Sequence, residues 1–307
     1  MSVIAFIGLG RMGLPMARNL LKAGFTVVGC DVDAARTAAF ATSGGMVAGT
    51  PAQAAAQAEI TFSILMNDAI LHDVALGESG VLKGARPGQL YCDLSTVSPA
   101  ASASVAAASR ATGVDYLCAK VAGSTGLAES AGLTLFASGN ETVFERARPA
   151  FAAMAAKVLH VGEGETAAYL KLVHSMIIGT YSAMIGEALT FGRKGGLSID
   201  MMVDVLEAGP LGSRQLTLKA PVLKGRHFAN PPSDIDTAAK DVDIILNTAR
   251  DDKVPLPLLS AARQVMTAAQ AAGGGKREIY GVLETFERMA GLEAAGLDAG
   301  NPHAGGT

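Results

Sequence analysis

The chain opens Val3-Ile4-Ala5-Phe6-Ile7-Gly8-Leu9-Gly10-Arg11-Met12-Gly13, and this stretch decides the fold. Five apolar residues, Val3 to Ile7, read as a buried strand. Leu14–Ala23 carries a helical pattern and ends at Gly24, where a left-handed cap costs least. A Gly-x-Gly-x-x-Gly run between strand and helix is the context in which that motif marks a dinucleotide site. Gly8 permits the tight turn, Gly10 lets a pyrophosphate approach the backbone, and Gly13 lets helix and strand pack closely. The helix N-terminus then offers N–H groups and a positive dipole end to the anion. Leu9, Arg11 and Met12 complete the candidate loop.

A second strand, Phe25–Cys30, leads into Asp31, 18 residues beyond Gly13. That is near the spacing at which a carboxylate meets the ribose hydroxyls of a dinucleotide. The same carboxylate repels a 2′-phosphate, so the expected cofactor is NAD rather than NADP. Arg36, early in the next helix, argues the other way and is read here as a solvated residue.

Further strands are expected at Ile60–Met66, Gln89–Asp93 and Asp115–Val121, with helices at Ala34–Ser43 and Pro99–Thr112. Strand–helix alternation at this spacing implies a parallel sheet covered on both faces. The pattern changes at Gly162–Gly164. Ala167–Arg193 is one long helical stretch, followed by helical runs at Ile199–Glu207, Arg214–Leu223, Asp234–Asp251, Leu256–Ala272 and Glu278–Gly291. The expected architecture is an α/β Rossmann-type N-terminal domain (1–163) and an all-α C-terminal domain (164–293), joined by the long interdomain helix. A Gly/Ala/Pro-rich stretch at 294–307 reads as a loose tail.

Composition narrows the function classes. Of 307 residues, 50% are hydrophobic and 17% charged, so the chain has ample material for a core and is not a disordered segment. The formal net charge is −3 with no block of like charges, which argues against a nucleic-acid groove or an anionic membrane surface. Cys30, Cys92 and Cys118 are odd in number and widely spaced, which speaks for a reducing compartment and against a disulfide framework or a zinc site. The N-terminus lacks a basic segment before its apolar run. The apolar stretch Leu172–Leu189 carries too many polar groups for a membrane span. A soluble, cytoplasmic protein without metal is expected. Glycine, at 36 residues, exceeds the roughly 7% of an average chain and should mark places of close backbone approach.

Lys171 lies near the start of the long helix, with His174, Ser175, Ile178 and Ser182 on the same face. The bland reading is a surface lysine and a core histidine. The sharper one places this stripe in a cleft after the Gly162–Gly164 turn, where a desolvated lysine serves as general acid/base.

Taken in order, GLGRMGLPMARNLLKAG from Gly8, DLSTVSP from Asp93, KVAGSTGLAESAGLTLFASG from Lys120, YLKLVHSMI from Tyr169 and the pair Lys240-Asp241 resemble the β-hydroxyacid dehydrogenase family. The resemblance runs to about Gly291. It implies that Lys171 is the catalytic acid/base and that Thr96 sits by nicotinamide and substrate. It further implies that Leu65 and Met66 line the cofactor, that Lys240 reaches the nicotinamide end, and that Gly123 lies in the loop cradling the substrate carboxylate. Departures gather at that loop. The family's Asp-Ala-Pro-Val-Ser-Gly-Gly stands here as Cys118-Ala119-Lys120-Val121-Ala122-Gly123-Ser124, and its asparagine three residues after the lysine is His174.

The expected activity is hydride transfer between nicotinamide and a small anionic β-hydroxy acid or its semialdehyde. Lys120, Ala122, Gly123, Ser124, His174, Ser175 and Thr96 are the candidate substrate contacts. The alternatives are an NADPH-dependent reductase of a short semialdehyde or other carbonyl, and a non-catalytic cofactor-binding module. Alanine-rich helices in the second half suggest a homodimer or homotetramer.

Overall fold

Eight strands form one sheet in the order β3-β2-β1-β4-β5-β6-β7-β8. They are β1 (Val3–Ile7), β2 (Thr26–Cys30), β3 (Met46–Val47), β4 (Ile60–Ser63), β5 (Leu90–Asp93), β6 (Asp115–Ala122), β7 (Leu133–Ser138) and β8 (Ala155–His160). Interleaved with them are α1 (Gly13–Lys22), α2 (Ala34–Ala41), α3 (Pro51–Gln57), α4 (Asp68–Leu76), α5 (Val81–Gly84), α6 (Pro99–Ala111), α7 (Thr125–Glu129) and α8 (Glu141–Met154). The computed structural model describes residues 2–292, so the expected tail at 294–307 lies outside the described residues.

The sheet is buried on both sides. Ile4 and Phe6 join Met16, Leu20, Phe62, Phe144 and Phe151 in one core, while Ala5 and Ile7 join Val28, Ala55, Leu71, Tyr91 and Val105 in another. That split follows from the period of two along a strand, and burial on both faces is what a parallel sheet requires.

Every neighbouring pair is parallel except β6 and β7, which run antiparallel with Lys120 opposite Phe136. The sequence reading expected neither β7 nor β8 and assumed parallel strands throughout. The reversal has a simple cause. Ten residues, 123–132, join β6 to β7 and hold only the short α7, whereas a parallel crossover needs a dozen or more and usually a full helix. β4 also stops at Ser63, so Ile64–Met66 form a loop rather than the end of a strand.

The second half is helical: α9 (Thr166–Lys194), α10 (Ile199–Ala208), α11 (Arg214–Gly225), α12 (Ile235–Asp251), α13 (Pro257–Ala271) and α14 (Val282–Met289). The run expected at Glu278–Gly291 resolves into a 3-10 turn, Ile279–Gly281, followed by α14. Arg226 ends α11 in the left-handed conformation, where glycine is usual. Its guanidinium grips the buried Glu287 carboxylate of α14 through two hydrogen bonds of 2.9 and 2.6 Å.

Two compact units result. One runs to Ser175 and takes in Asn247–Val254; the other comprises Met176–Leu246 and the chain from Pro255. The division falls inside α9, later than the glycine turn. The first turns of α9 belong with the sheet because Ala167 and Ala168 pack against Cys118 and Phe136, and the Ala167 N–H donates to Ser138 Oγ. Among the described residues, α9 is the one helix long and apolar enough to cross a membrane by length and composition.

Candidate active site

At Gly8, φ is +92° and a Cβ would stand 2.4 Å from the Ile64 carbonyl oxygen; at Gly13 it would stand 1.8 Å from that of Gly8. Neither place admits a side chain. Gly10 differs, because the nearest atom to its missing Cβ is Arg36 Nη1 at 3.7 Å. Its bare backbone therefore faces open space. α1 starts at Gly13 with no side chain capping it, so its positive end keeps the character that suits an anion. Close backbone, an open glycine and an uncapped helix end together fit the diphosphate of a dinucleotide.

Asp31 stands at the end of β2 as expected. It accepts hydrogen bonds from Leu9 N (2.7 Å) and Asp33 N (2.8 Å), so the carboxylate also ties the glycine loop to its neighbouring strand. Arg36 is exposed, as expected of a solvated helix face, and also makes ion pairs: Nη1 lies 3.6 Å from Asp31 and Nε 3.2 Å from Asp33. Leu9, Gly10, Arg11, Arg18 and Arg36 border a groove of about 420 Å³. Burial, and then the Asp31 charge, push the Cys30 thiol up to about 11, so it stays protonated at neutral pH.

Register places the rest. Ile7 pairs with Ser63, Ser63 with Asp93, and Asp93 with Cys118. The segments following these positions (the glycine loop, Leu65–Met66, Thr96 and Ala122–Ser124) therefore share the carboxyl-terminal edge of the sheet. Ligands of open α/β sheets bind along that edge. Met66 is exposed, and Leu65 and Thr96 are half-buried. Gly123 has φ +141°, and a Cβ there would meet Leu133 Cδ2 at 2.7 Å.

Beneath the edge lies a polar cluster that the sequence reading missed. Asp93 Oδ1 accepts from Ser63 Oγ (2.9 Å), Ser95 Oγ (2.6 Å) and Ser95 N (3.2 Å). Ser95 Oγ in turn accepts from Leu65 N at 2.8 Å. Tyr91 OH meets Ser63 Oγ at 2.9 Å, and burial, helped by Asp93, pushes its phenol well above the ordinary range. The available signal was DLSTVSP itself, in which Asp93 and Ser95 precede Thr96.

Lys120 belongs to this cluster and not to a substrate surface. It is fully buried, and its Nζ donates to Asp93 Oδ2 at 3.0 Å and to the Asp93 carbonyl at 3.2 Å. Burial works against its charge, but Asp93 outweighs this and holds the lysine pKa above its ordinary value. The expectation that Lys120 meets an anionic substrate is thereby corrected: an ammonium bonded to an internal carboxylate is spent inside the fold.

Lys171 is placed otherwise. Its Nζ donates to the Val121 carbonyl at 2.8 Å, which brings the α9 amine to the end of β6 beside Ala122 and Gly123. One turn on, His174 is exposed and Ser175 half-buried. Desolvation and the neighbouring Lys171 pull the His174 pKa below its ordinary value, which keeps the imidazole neutral at pH 7. Lys240 lies in the helical unit on α12, with Nζ 2.8 Å from Asp241 Oδ1. Among the described residues, no three His, Cys, Asp or Glu side chains group as a metal site.

Comparison with known proteins follows this geometry. Residues 3–162 match the family described as the NAD binding domain of 6-phosphogluconate dehydrogenase. Residues 162–286 match that described as NAD-binding of NADP-dependent 3-hydroxyisobutyrate dehydrogenase. The chain is 33% identical to 2-(hydroxymethyl)glutarate dehydrogenase of Eubacterium barkeri, over 95% of this chain and 97% of that protein. It is likewise 33% identical to 3-sulfolactaldehyde reductase of Escherichia coli K12, over 96% and 99%. Among solved structures, 3-hydroxyisobutyrate dehydrogenase of Mycobacterium tuberculosis with L-serine superposes with a TM-score of 0.85 at 28% identity, covering 93% of this chain and 99% of that one.

Proposed function

Because the chain belongs to the β-hydroxyacid dehydrogenase family, we propose that it interconverts a small anionic β-hydroxy acid and its semialdehyde, with NAD as cofactor and Lys171 as general acid/base. The observation that carries this is the Lys171 amine held 2.8 Å from the Val121 carbonyl, on the sheet edge that also bears the glycine loop. Bound at that loop, a nicotinamide dinucleotide supplies the hydride acceptor or donor. Lys171 does the proton work: it takes the hydroxyl proton as the alcohol is oxidised and returns it in the reverse direction. Its anchorage on a backbone carbonyl fixes where the amine stands. His174, neutral at pH 7, donates or accepts a hydrogen bond to orient the substrate oxygen. Thr96, Gly123 and Ser124 bound the substrate from the sheet side, and Ala122 supplies no hydroxyl where the family pattern it resembles has serine.

Asp31 favours NAD for its ribose hydroxyls. The NADPH alternative draws on Arg36, whose guanidinium already stands 3.6 Å from Asp31. Assembly with a second copy is supported by Ile177, Met184 and Phe191, large apolar residues at seven-residue spacing on α9 that are 58%, 52% and 83% exposed. Three free, buried cysteines suit the reducing cytoplasm.

The test is a screen of three- to six-carbon hydroxy acids and their semialdehydes with NAD and NADP, followed by the absorbance of reduced nicotinamide. Turnover with NAD is expected. A tenfold or larger preference for NADP would overturn the reading of Asp31, and no turnover in either direction would overturn the reaction class.

A further inference from the structure

Lys120 and Asp93 form a fully buried ion pair. Burying a charge pair is expensive and stabilises a fold poorly compared with apolar packing of the same volume. What such a pair does supply is fixed geometry between its partners. The partners of the pair show what that geometry is. Asp93 holds Ser95 through both its amide and its hydroxyl, and Ser95 Oγ holds the Leu65 amide at the start of the loop after β4. Nζ of Lys120 also binds the Asp93 carbonyl, which clamps the end of β5 to β6 from the side chain as well as through the ladder. The next residue on β6 is Val121, whose carbonyl receives Lys171.

We propose that Lys120 is a positioning residue, whose bond to Asp93 sets both the Leu65 loop on the cofactor side and the Val121 carbonyl that aims Lys171. It touches neither ligand. One clamp thus fixes two arms of the site, the cofactor-lining loop through Asp93 and Ser95, and the acid/base amine through the peptide joining Lys120 to Val121. The inference rests on the reading of Lys171 given above, so its test uses readouts that need no substrate.

Three variants are compared with the parent: Lys120→Met, the neutral pair Asp93→Asn with Lys120→Met, and Lys120→Arg. The Lys171 amine is labelled competitively with acetic anhydride and the adduct located by peptide mass spectrometry. NADH binding is titrated by its fluorescence, and thermal unfolding verifies that each variant folds. Expected are a change of at least threefold in the Lys171 labelling rate and at least threefold weaker NADH binding in Lys120→Met and in the neutral pair, with return toward parent values in Lys120→Arg. Should Lys120→Met fail to fold, the neutral pair, which buries no unpaired charge, carries the test. A folded neutral pair with parental labelling and parental NADH binding would overturn the proposal and reduce the ion pair to packing. That result would leave the role of Lys171 standing, whereas failure of the hydroxy-acid screen with altered labelling would sink the reaction and spare the clamp.

Discussion

Around Lys120 the protein is closed, and around Lys171 it is half open, although Lys171 is anchored on the carbonyl of Val121, the residue that follows Lys120 on β6. The first ammonium faces a carboxylate and a carbonyl with no exposure to water. The second is anchored on a carbonyl at the sheet edge, with an exposed imidazole one turn along its helix. A lysine whose charge is matched by a buried acid is structural, because moving its proton strands a charge in the core. A lysine that reaches a backbone carbonyl at the sheet edge stands where the proposed proton exchange would take place.

The largest effect should come from the open side. Replacing Lys171 by alanine should lower kcat by about 10² to 10⁴-fold, the usual weight of general acid/base catalysis, while NADH affinity by fluorescence titration stays within about threefold of the parent. An active variant would break the contrast. The closed side should register in folding first. Lys120→Met should reduce the unfolding free energy by about 3–5 kcal/mol, since it leaves the Asp93 carboxylate buried without its partner. Asp93→Asn in the same chain should recover much of the loss, as read from urea midpoints. The smallest effect is one of pH and belongs again to the open side. His174 titrates lower in the folded chain than the ordinary value of about 6.5 in the unfolded one. Below about pH 6.5 the unfolded state therefore binds more protons, and the histidine's contribution to stability declines as pH falls through the folded pKa. The urea midpoint of the parent, relative to His174→Gln, should drop between pH 7 and pH 5. A flat difference would mean that the imidazole titrates normally.

How far these roles were legible in the sequence depends on what decides each. The glycine loop was legible because its motif is compact in sequence, although only Gly13 is crowded by a near neighbour, the Gly8 carbonyl, while Gly8 itself is crowded by Ile64 after β4. Asp31 followed from strand length. β7 and β8 were not legible. Ala155–His160 follows α8 without any turn signal, and α8 carries Pro149 inside it, a residue that normally argues against a helix. Burial of Phe144, Phe151 and Met154 against the sheet overrides that local preference. Lys120 misled for a related reason. Its type announces a charge, but only the pairing of β5 with β6 places Asp93 beneath it. Lys171 was singled out by its helical neighbours and by resemblance, and only the fold shows that Val121 holds it.

One consequence of the glycine loop reaches beyond chemistry. Any single-nucleotide change that replaces a glycine brings in a residue with a Cβ or ends the chain. At positions 8 and 13 that Cβ collides with backbone oxygens of the fold itself, whereas at position 10 it meets only the tip of an arginine. Inheritance therefore guards the three glycines for two different reasons. A descendant that ceased to bind any dinucleotide would still be obliged to keep Gly8 and Gly13 in order to fold, and only Gly10 would be free to drift. Of the three, it is the middle glycine that carries the record of use.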